Sequence, residues 1–238
     1  MWAKALSETG RVRKDNQDNY LVSTERGLFV VADGMGGHAG GKVASSIAKQ
    51  VLAEEIVPSP VAADCGKLLL KALLKANDLI LQQGQEQAYL GMGTTVTAAM
   101  FGAGRLYLAH IGDSRAYLFR GGSLQLLTQD HSLVNELLQK GELTQEEAKH
   151  HPRRNILTRA LGITENPQID LLDLSVQKGD LLLLCTDGLH NQVYEEELTQ
   201  ILAAEGEGLL ETKVKRMVNL ALERGGNDNI TVVLIQDK

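Results

Sequence analysis

The chain has 238 residues and a formal net charge of -6, with 43% hydrophobic and 23% charged residues. That length and balance suit one domain, residues 1–238, around a sizeable core, and the acidic surplus argues against nucleic acid as a partner. Cys65 and Cys185 lack metal-ligand spacing and read as buried thiols of a reducing compartment, no run reaches the roughly 20 apolar residues that span a bilayer, and Met1-Trp2-Ala3-Lys4 lacks a leader's apolar stretch, so a cytoplasmic protein with no membrane partner is expected.

In chain order, a polar loop from Arg11 to Asp18 precedes two predicted strands, Asn19 to Ser23 and Leu28 to Asp33, around the turn Glu25-Arg26-Gly27. A glycine-rich loop, Gly34 to Gly41, leads to a helix with Val43, Ile47 and Val51 on one face, ending near Pro58 and Pro60. A second helix carries Leu69, Leu73, Ala76 and Ile80 and stops at Gly84. Four strands follow, Thr94 to Phe101, Arg105 to Ile111, Arg115 to Arg120 and Leu124 to Thr128; the turns between them are so short that neighbours must be antiparallel. From Ser132 to Leu161 the pattern changes to short charged helical pieces, Ser132 to Gln139 and Thr144 to Glu147, the latter opened by a capping box. This segment reads as an insertion lying over the sheet. Strands Gln168 to Leu174 and Asp180 to Thr186, helices Glu195 to Ala204 and Leu209 to Arg224, and a strand Ile230 to Gln236 complete the chain. The order fits an α+β fold of antiparallel sheets covered by helices.

Three apolar runs end on an aspartate: Phe29 to Asp33, Leu108 to Asp113 and Leu181 to Asp187. Each carboxylate is therefore expected where a core strand reaches the surface. Asp18, in Asn16-Gln17-Asp18, and Asp228, in Gly225-Gly226-Asn227-Asp228-Asn229, bring the acids to five, all flanked by Gly, Asn or Thr. Gathered without cations, they would repel one another and raise their own pKa values, and an oxygen-rich set of this kind suits Mg2+ or Mn2+. Gly34 and Gly188, each following an acid, leave room for a backbone carbonyl to turn toward a cation. A water bridging two such cations is acidified toward hydroxide, a nucleophile for phosphorus, and Arg13 offers a planar fork for phosphate oxygens. Asp130 and Asp180 read as turn residues, His110 as a core histidine, and His131, His150, His151 and His190 as unrelated to a soft-metal site. Arg153-Arg154 reads as a solvated pair and Arg159 as an anchor for the insertion's return.

The segments Arg13-Lys14-Asp15-Asn16-Gln17-Asp18, Val31-Ala32-Asp33-Gly34-Met35-Gly36-Gly37-His38, Gly93-Thr94-Thr95, Ile111-Gly112-Asp113-Ser114-Arg115, Leu157 to Gly162, Thr186-Asp187-Gly188 and Asp228-Asn229-Ile230-Thr231 resemble, in order, the motifs of the metal-dependent protein phosphatase family of the 2C type, and its bacterial branch in particular. The resemblance implies an α-β-β-α sandwich of two central antiparallel sheets flanked by helices, with residues 132–161 as a flap. It also implies two Mn2+ or Mg2+ ions and a third, weaker one. Asp33 would bridge the pair, Gly34 would offer its carbonyl to the second ion, and Asp187 and Asp228 would complete the first. Asp18 would act through metal-bound water, Asp113 and Asp187 would hold the third ion, and Arg13 would bind the substrate phosphate. Where many eukaryotic relatives place a histidine directly after Asp-Gly, this chain has Met35, which has no proton to give; His38 is the candidate proton donor. The implied activity is hydrolysis of phosphoserine and phosphothreonine in proteins by direct attack of metal-activated water, opposing a cognate bacterial Ser/Thr kinase, by a monomer. A non-catalytic binding module of the same fold is the competing reading, and degenerate modules would be expected to have lost carboxylates that are all present here.

Overall fold

The computed structural model describes residues 1–58, 64–204 and 209–237. One five-stranded antiparallel sheet has the order β1 (Trp2–Glu8), β11 (Ile230–Gln236), β10 (Leu181–Cys185), β7 (Arg115–Arg120), β8 (Ser123–Leu126). The other runs β2 (Asp18–Ser23), β3 (Leu28–Met35), β5 (Val96–Gly102), β6 (Arg105–Ile111), β9 (Asp170–Ser175), with the short β4 (Gly93–Thr94) beside β3. Helices α1 (Gly37–Ile56) and α2 (Cys65–Gln83) cover the second sheet; α6 (Glu195–Ala203) and α7 (Leu209–Glu223) cover the first. Three core layers result, and this is the expected α-β-β-α sandwich.

Both faces of the central strands are covered, so their sequences are continuous apolar runs rather than alternating ones. In β3, Leu28, Val30 and Ala32 face α1 and α2, whereas Phe29 and Val31 enter the layer between the sheets. In β10 and β11, Leu182, Leu184, Val233 and Ile235 enter that same layer. Following each strand at period two to its end brings Asp33, Thr186 and Thr231 to the lip of the inter-sheet core. Asp18 is the direct cross-strand partner of Asp33. The site is placed by strand parity.

Two sequence expectations need correction. Trp2–Glu8, left unassigned, is an edge strand paired along its length with β11. Gly34 to Gly41 is not a loop throughout, because α1 begins at Gly37 after a left-handed Gly36 (φ 116°). These glycines permit contact between helix and strand: a Cβ on Gly34 would stand 2.0 Å from the Gly41 carbonyl oxygen. Gly34→Ala should therefore cost about 3 kcal/mol, an overpacking penalty at the upper end of the usual range, read as a lower urea midpoint. An unchanged midpoint would show that the helix can back away. Helix α1 ends at Ile56, before Pro58, while Pro60 lies outside the described residues.

Between β8 and β9 lie the short helices α3 (Leu133–Gln139), capped by Ser132, and α4 (Gln145–His150), opened by the expected Thr144/Glu147 capping box. The bridge Ser132 to Leu157 closes this segment on itself, and the bridge Thr94 to Leu161 joins it to β4. Asn77 of α2 holds its far end, accepting from the Gly162 amide and donating to the Thr164 carbonyl. Among the described residues no helix is long and apolar enough to cross a membrane.

Candidate active site

A cleft of about 520 Å³ opens at the lip of the inter-sheet core, and Arg13, Asp33, Gly34, Asp113, Asp187 and Asp228 all line it. Six of the sequence-predicted residues thus converge. Asp18 lies beneath them, 7% exposed. Of His38, the candidate proton donor, the side chain lies outside the described residues.

Asp18 is held by hydroxyls. Its Oδ2 accepts from Thr186 Oγ1 at 2.8 Å and Thr231 Oγ1 at 2.6 Å. Thr231 is backed by Ser7, which in turn accepts from Asn16 Nδ2. With both threonine protons spent on Oδ2, the relay points one way, toward the carboxylate. The other oxygen, Oδ1, is buried with no hydrogen-bond partner among the described residues, and so is Asp187 Oδ1. Bare buried carboxylate oxygens are costly and rare, so each marks a place where a ligand belongs.

The charges agree. Burial, reinforced by neighbouring carboxylates, pushes Asp18 up to about 7 and Asp187 to about 6, and raises Asp33 and Asp113 well above the ordinary carboxylate range. Asp33 and Asp187 are close enough to share a hydrogen bond. Four acids that resist ionisation side by side are a set in need of cations. No three His, Cys, Asp or Glu side chains among the described residues stand in a closed metal-ligand cluster. The acids converge without enclosing, and Asp228 is taken up by Arg13, whose Nη2 lies 2.7 Å from Asp228 Oδ2. Hard cations that keep several waters need only such an open arc. The orphaned oxygens and the raised acids together fit Mn2+ or Mg2+.

Several functional contacts were missed in the sequence. Asn229 uses one amide side chain to fasten the whole Arg13 loop. Its Oδ1 accepts from the Gln17 amide at 2.8 Å, and its Nδ2 donates to the carbonyls of Thr9 and Asp15 at 2.9 and 3.0 Å. Gly188 lets α5 (Asp187–His190) press on this strand end, since a Cβ there would lie 1.9 Å from the Asn229 carbonyl oxygen. His131 and His190, set aside above as having no role in a soft-metal site, clamp the turn bearing Asp113. The Gly112 amide donates to His131 Nδ1, and His190 Nε2 lies 3.0 Å from the Asp113 carbonyl. Asp130 is no mere turn residue: Arg115 grips both its oxygens at 2.9 and 2.7 Å. Asp180 does accept a turn hydrogen bond from the Gln177 amide, and it also pairs with Arg120. His110 is the expected satisfied core histidine, bonded to Thr97 and the Gln129 carbonyl. Arg159 contacts Asp170 at 3.2 Å, as an anchor would.

The family model of protein phosphatase 2C matches residues 9–230. Serine/threonine phosphatase stp of Listeria monocytogenes is 40% identical over 243 aligned positions, spanning 99% of this chain and 96% of the relative. Among solved structures, the serine/threonine phosphatase PstP/Ppp of Mycobacterium tuberculosis superposes with a TM-score of 0.90 at 38% identity, covering 98% of this chain and 97% of that one. The PstP catalytic domain in complex with two manganese ions superposes with a TM-score of 0.88 at 38% identity, over 98% and 96% of the two chains. With the motif order, the sandwich and the acid-lined cleft in agreement, this chain belongs to the protein phosphatase 2C family.

Proposed function

We propose that the protein is a Mn2+- or Mg2+-dependent phosphatase acting on phosphoserine and phosphothreonine in proteins. The observation that carries this reading is the convergence, in one cleft with Arg13, of the raised acids Asp33, Asp113 and Asp187 above the buried Asp18, with an orphaned buried oxygen on Asp187 and another on Asp18. Asp33, Asp187, Asp228 and the Gly34 carbonyl would hold two cations, Asp18 would steady their water, and Asp113 with Asp187 would hold a third. When bound, the cations supply Lewis acidity and lower the pKa of water enough for attack on phosphorus. The manganese-bound PstP relative supports that choice of metal.

The chain's own residues do the rest. Asn229 fixes the Arg13 loop, so the guanidinium meets a phosphate without a search. Asp228 holds that guanidinium in a salt bridge, so Asp228 and a phosphate would compete for it, and Asp228 is also one of the residues that would hold a cation. Val12 and Leu157 give the cleft an apolar rim beside Lys14. Met35 also lines the cleft, and its thioether has no proton for the leaving group. Residues 132–161 are assigned as a flap within a single 1–238 domain. A monomeric cytoplasmic enzyme opposing a cognate Ser/Thr kinase completes the reading.

Purified protein should hydrolyse a phosphothreonine peptide with Mn2+ or Mg2+ and stop in EDTA. Full turnover in EDTA would overturn the metal assignment. Arg13→Ala should raise KM, lowering kcat/KM roughly 10- to 100-fold, the worth of a charge-assisted contact of about 1.5–3 kcal/mol. An unchanged KM would remove Arg13 from phosphate binding.

A further inference from the structure

A second cleft, of about 390 Å³, lies against the same segment of chain. Leu157 lines the first cleft and Thr158, the next residue, lines the second. Helix α3 contributes Glu136 and Gln139, its C-cap contributes Lys140, and Gln129 and Arg159 complete the lining with them. Donors exceed acceptors here. Asp130, in the wall, is consumed by the two-pronged grip of Arg115. Arg159 spends only Nη1, on Asp170 Oδ1 at 3.2 Å, and its Nε and Nη2 have no partner among the described residues. Nor, among those residues, do the Lys140 ammonium, the Thr158 hydroxyl or the side-chain amides of Gln129 and Gln139. Glu136 is the single uncommitted acid. A planar guanidinium edge, an ammonium and neutral donors around a concavity match a tetrahedral oxyanion.

The cleft is also wired to the active site. The His131 amide donates to the Gly112 carbonyl at 2.8 Å, and the Gly112 amide donates to His131 Nδ1 at 3.1 Å. Since Nδ1 accepts, the ring proton sits on Nε2 and goes to Asp170 Oδ2, 3.1 Å away. The 3.3 Å approach of Arg159 Nη1 to His131 Nε2 is then a meeting of two donors that share Asp170. Any anion engaging Arg159 acts in turn on Asp170, His131 and Gly112, the neighbour of Asp113.

We propose that this cleft is a second oxyanion site that takes a phosphate group, and that its occupancy is sensed at the Asp113 turn. The phosphate is either free inorganic phosphate or a second phosphorylated residue of a bound peptide. Binding is measurable without turnover, so the proposal stands or falls apart from the catalytic reading.

The test is a 15N NMR titration of the full, metal-free chain with inorganic phosphate, against chloride at equal ionic strength. The side-chain resonances of Gln129, Gln139 and Arg159 Nε should move saturably, and the Gly112 amide should follow with the same apparent Kd. Lys140→Glu, an exposed change whose fold the same spectrum verifies, should weaken binding at least fivefold. Shifts matching those in chloride, shifts confined to the Arg13 cleft, or an unaltered Kd in Lys140→Glu would overturn the site. A fixed Gly112 amide while the cleft saturates would overturn the wiring. A doubly phosphorylated peptide binding tenfold tighter than its singly phosphorylated form, with the gain lost in Lys140→Glu, assigns the phosphate to substrate; equal affinity assigns it to free phosphate.

Discussion

Asp187→Asn should reduce turnover of a phosphothreonine peptide by roughly 10³-fold or more, because tenfold in rate is 1.36 kcal/mol and a catalytic cation contributes several. The substitution keeps shape and size while removing the charge that two candidate cation sites would share. It also spares the fold, since among the described residues Asp187 has one buried oxygen that no donor reaches, and its side-chain contacts are the Asn191 Nδ2 donor at 3.1 Å and the neighbouring Asp33. Asp33→Asn should behave alike. Two controls separate chemistry from damage. Asp173→Asn removes an exposed carboxylate paired with Arg105 and should leave turnover unchanged. Asn191→Ala removes the hydrogen bond and keeps the charge, so its loss should be far smaller, no more than about tenfold for one hydrogen bond near 1 kcal/mol. Near wild-type activity in a folded Asp187→Asn protein would sink the metal-phosphatase assignment.

These acids were legible because each closes a run buried on both faces, where polar residues are otherwise excluded. What the runs could not reveal was parity: only the layer into which Phe29, Leu184 and Val233 point shows that Asp33, Thr186 and Thr231 meet at one lip. β1 was missed because Lys4 and Glu8 share a face with Trp2 and Leu6 while the other face holds only the small Ala3, Ala5 and Ser7, and its pairing partner lies at the other end of the chain. Asn229, His131 and His190 escaped for another reason. They act on backbone groups of distant loops, and such hydrogen bonds leave no periodicity or spacing to read. Asp130 looked like a turn residue because its local composition is that of a turn; its role comes from Arg115, one strand earlier.

The metal-free protein should lose stability as pH rises from about 6.5 to 8, and Mn2+ should return it. The sign follows from the raised acids. Between the ordinary carboxylate pKa and the folded values of about 7 for Asp18 and about 6 for Asp187, the folded state binds more protons than the unfolded one. Stability is then full below that window and falls as pH climbs through it. Burial holds His110, His131 and His190 below the ordinary imidazole range, so they act in the opposite sense up to about pH 6.5, and Asp130 and Asp180, held low by Arg115 and Arg120 against the opposing effect of burial, do so at still lower pH; above about pH 6.5 the raised acids set the slope. Each unit of upward shift is worth about 1.4 kcal/mol, and about 1 kcal/mol moves the Tm of a domain this size by roughly 2–4 °C. A Tm in EDTA several degrees lower at pH 8 than at pH 6.5 is therefore expected. Mn2+ at a hundredfold excess over its Kd adds about 2.7 kcal/mol per site, roughly 5–10 °C. Asp33→Asn separates this cause from any general effect of pH. Removing one of the crowded charges should raise the metal-free Tm at pH 8 while shrinking the Mn2+ gain, a trade of activity for stability. A metal-free Tm that is flat from pH 6.5 to 8, or an Asp33→Asn protein that melts lower than wild type in EDTA, would show that the acids are not strained against one another.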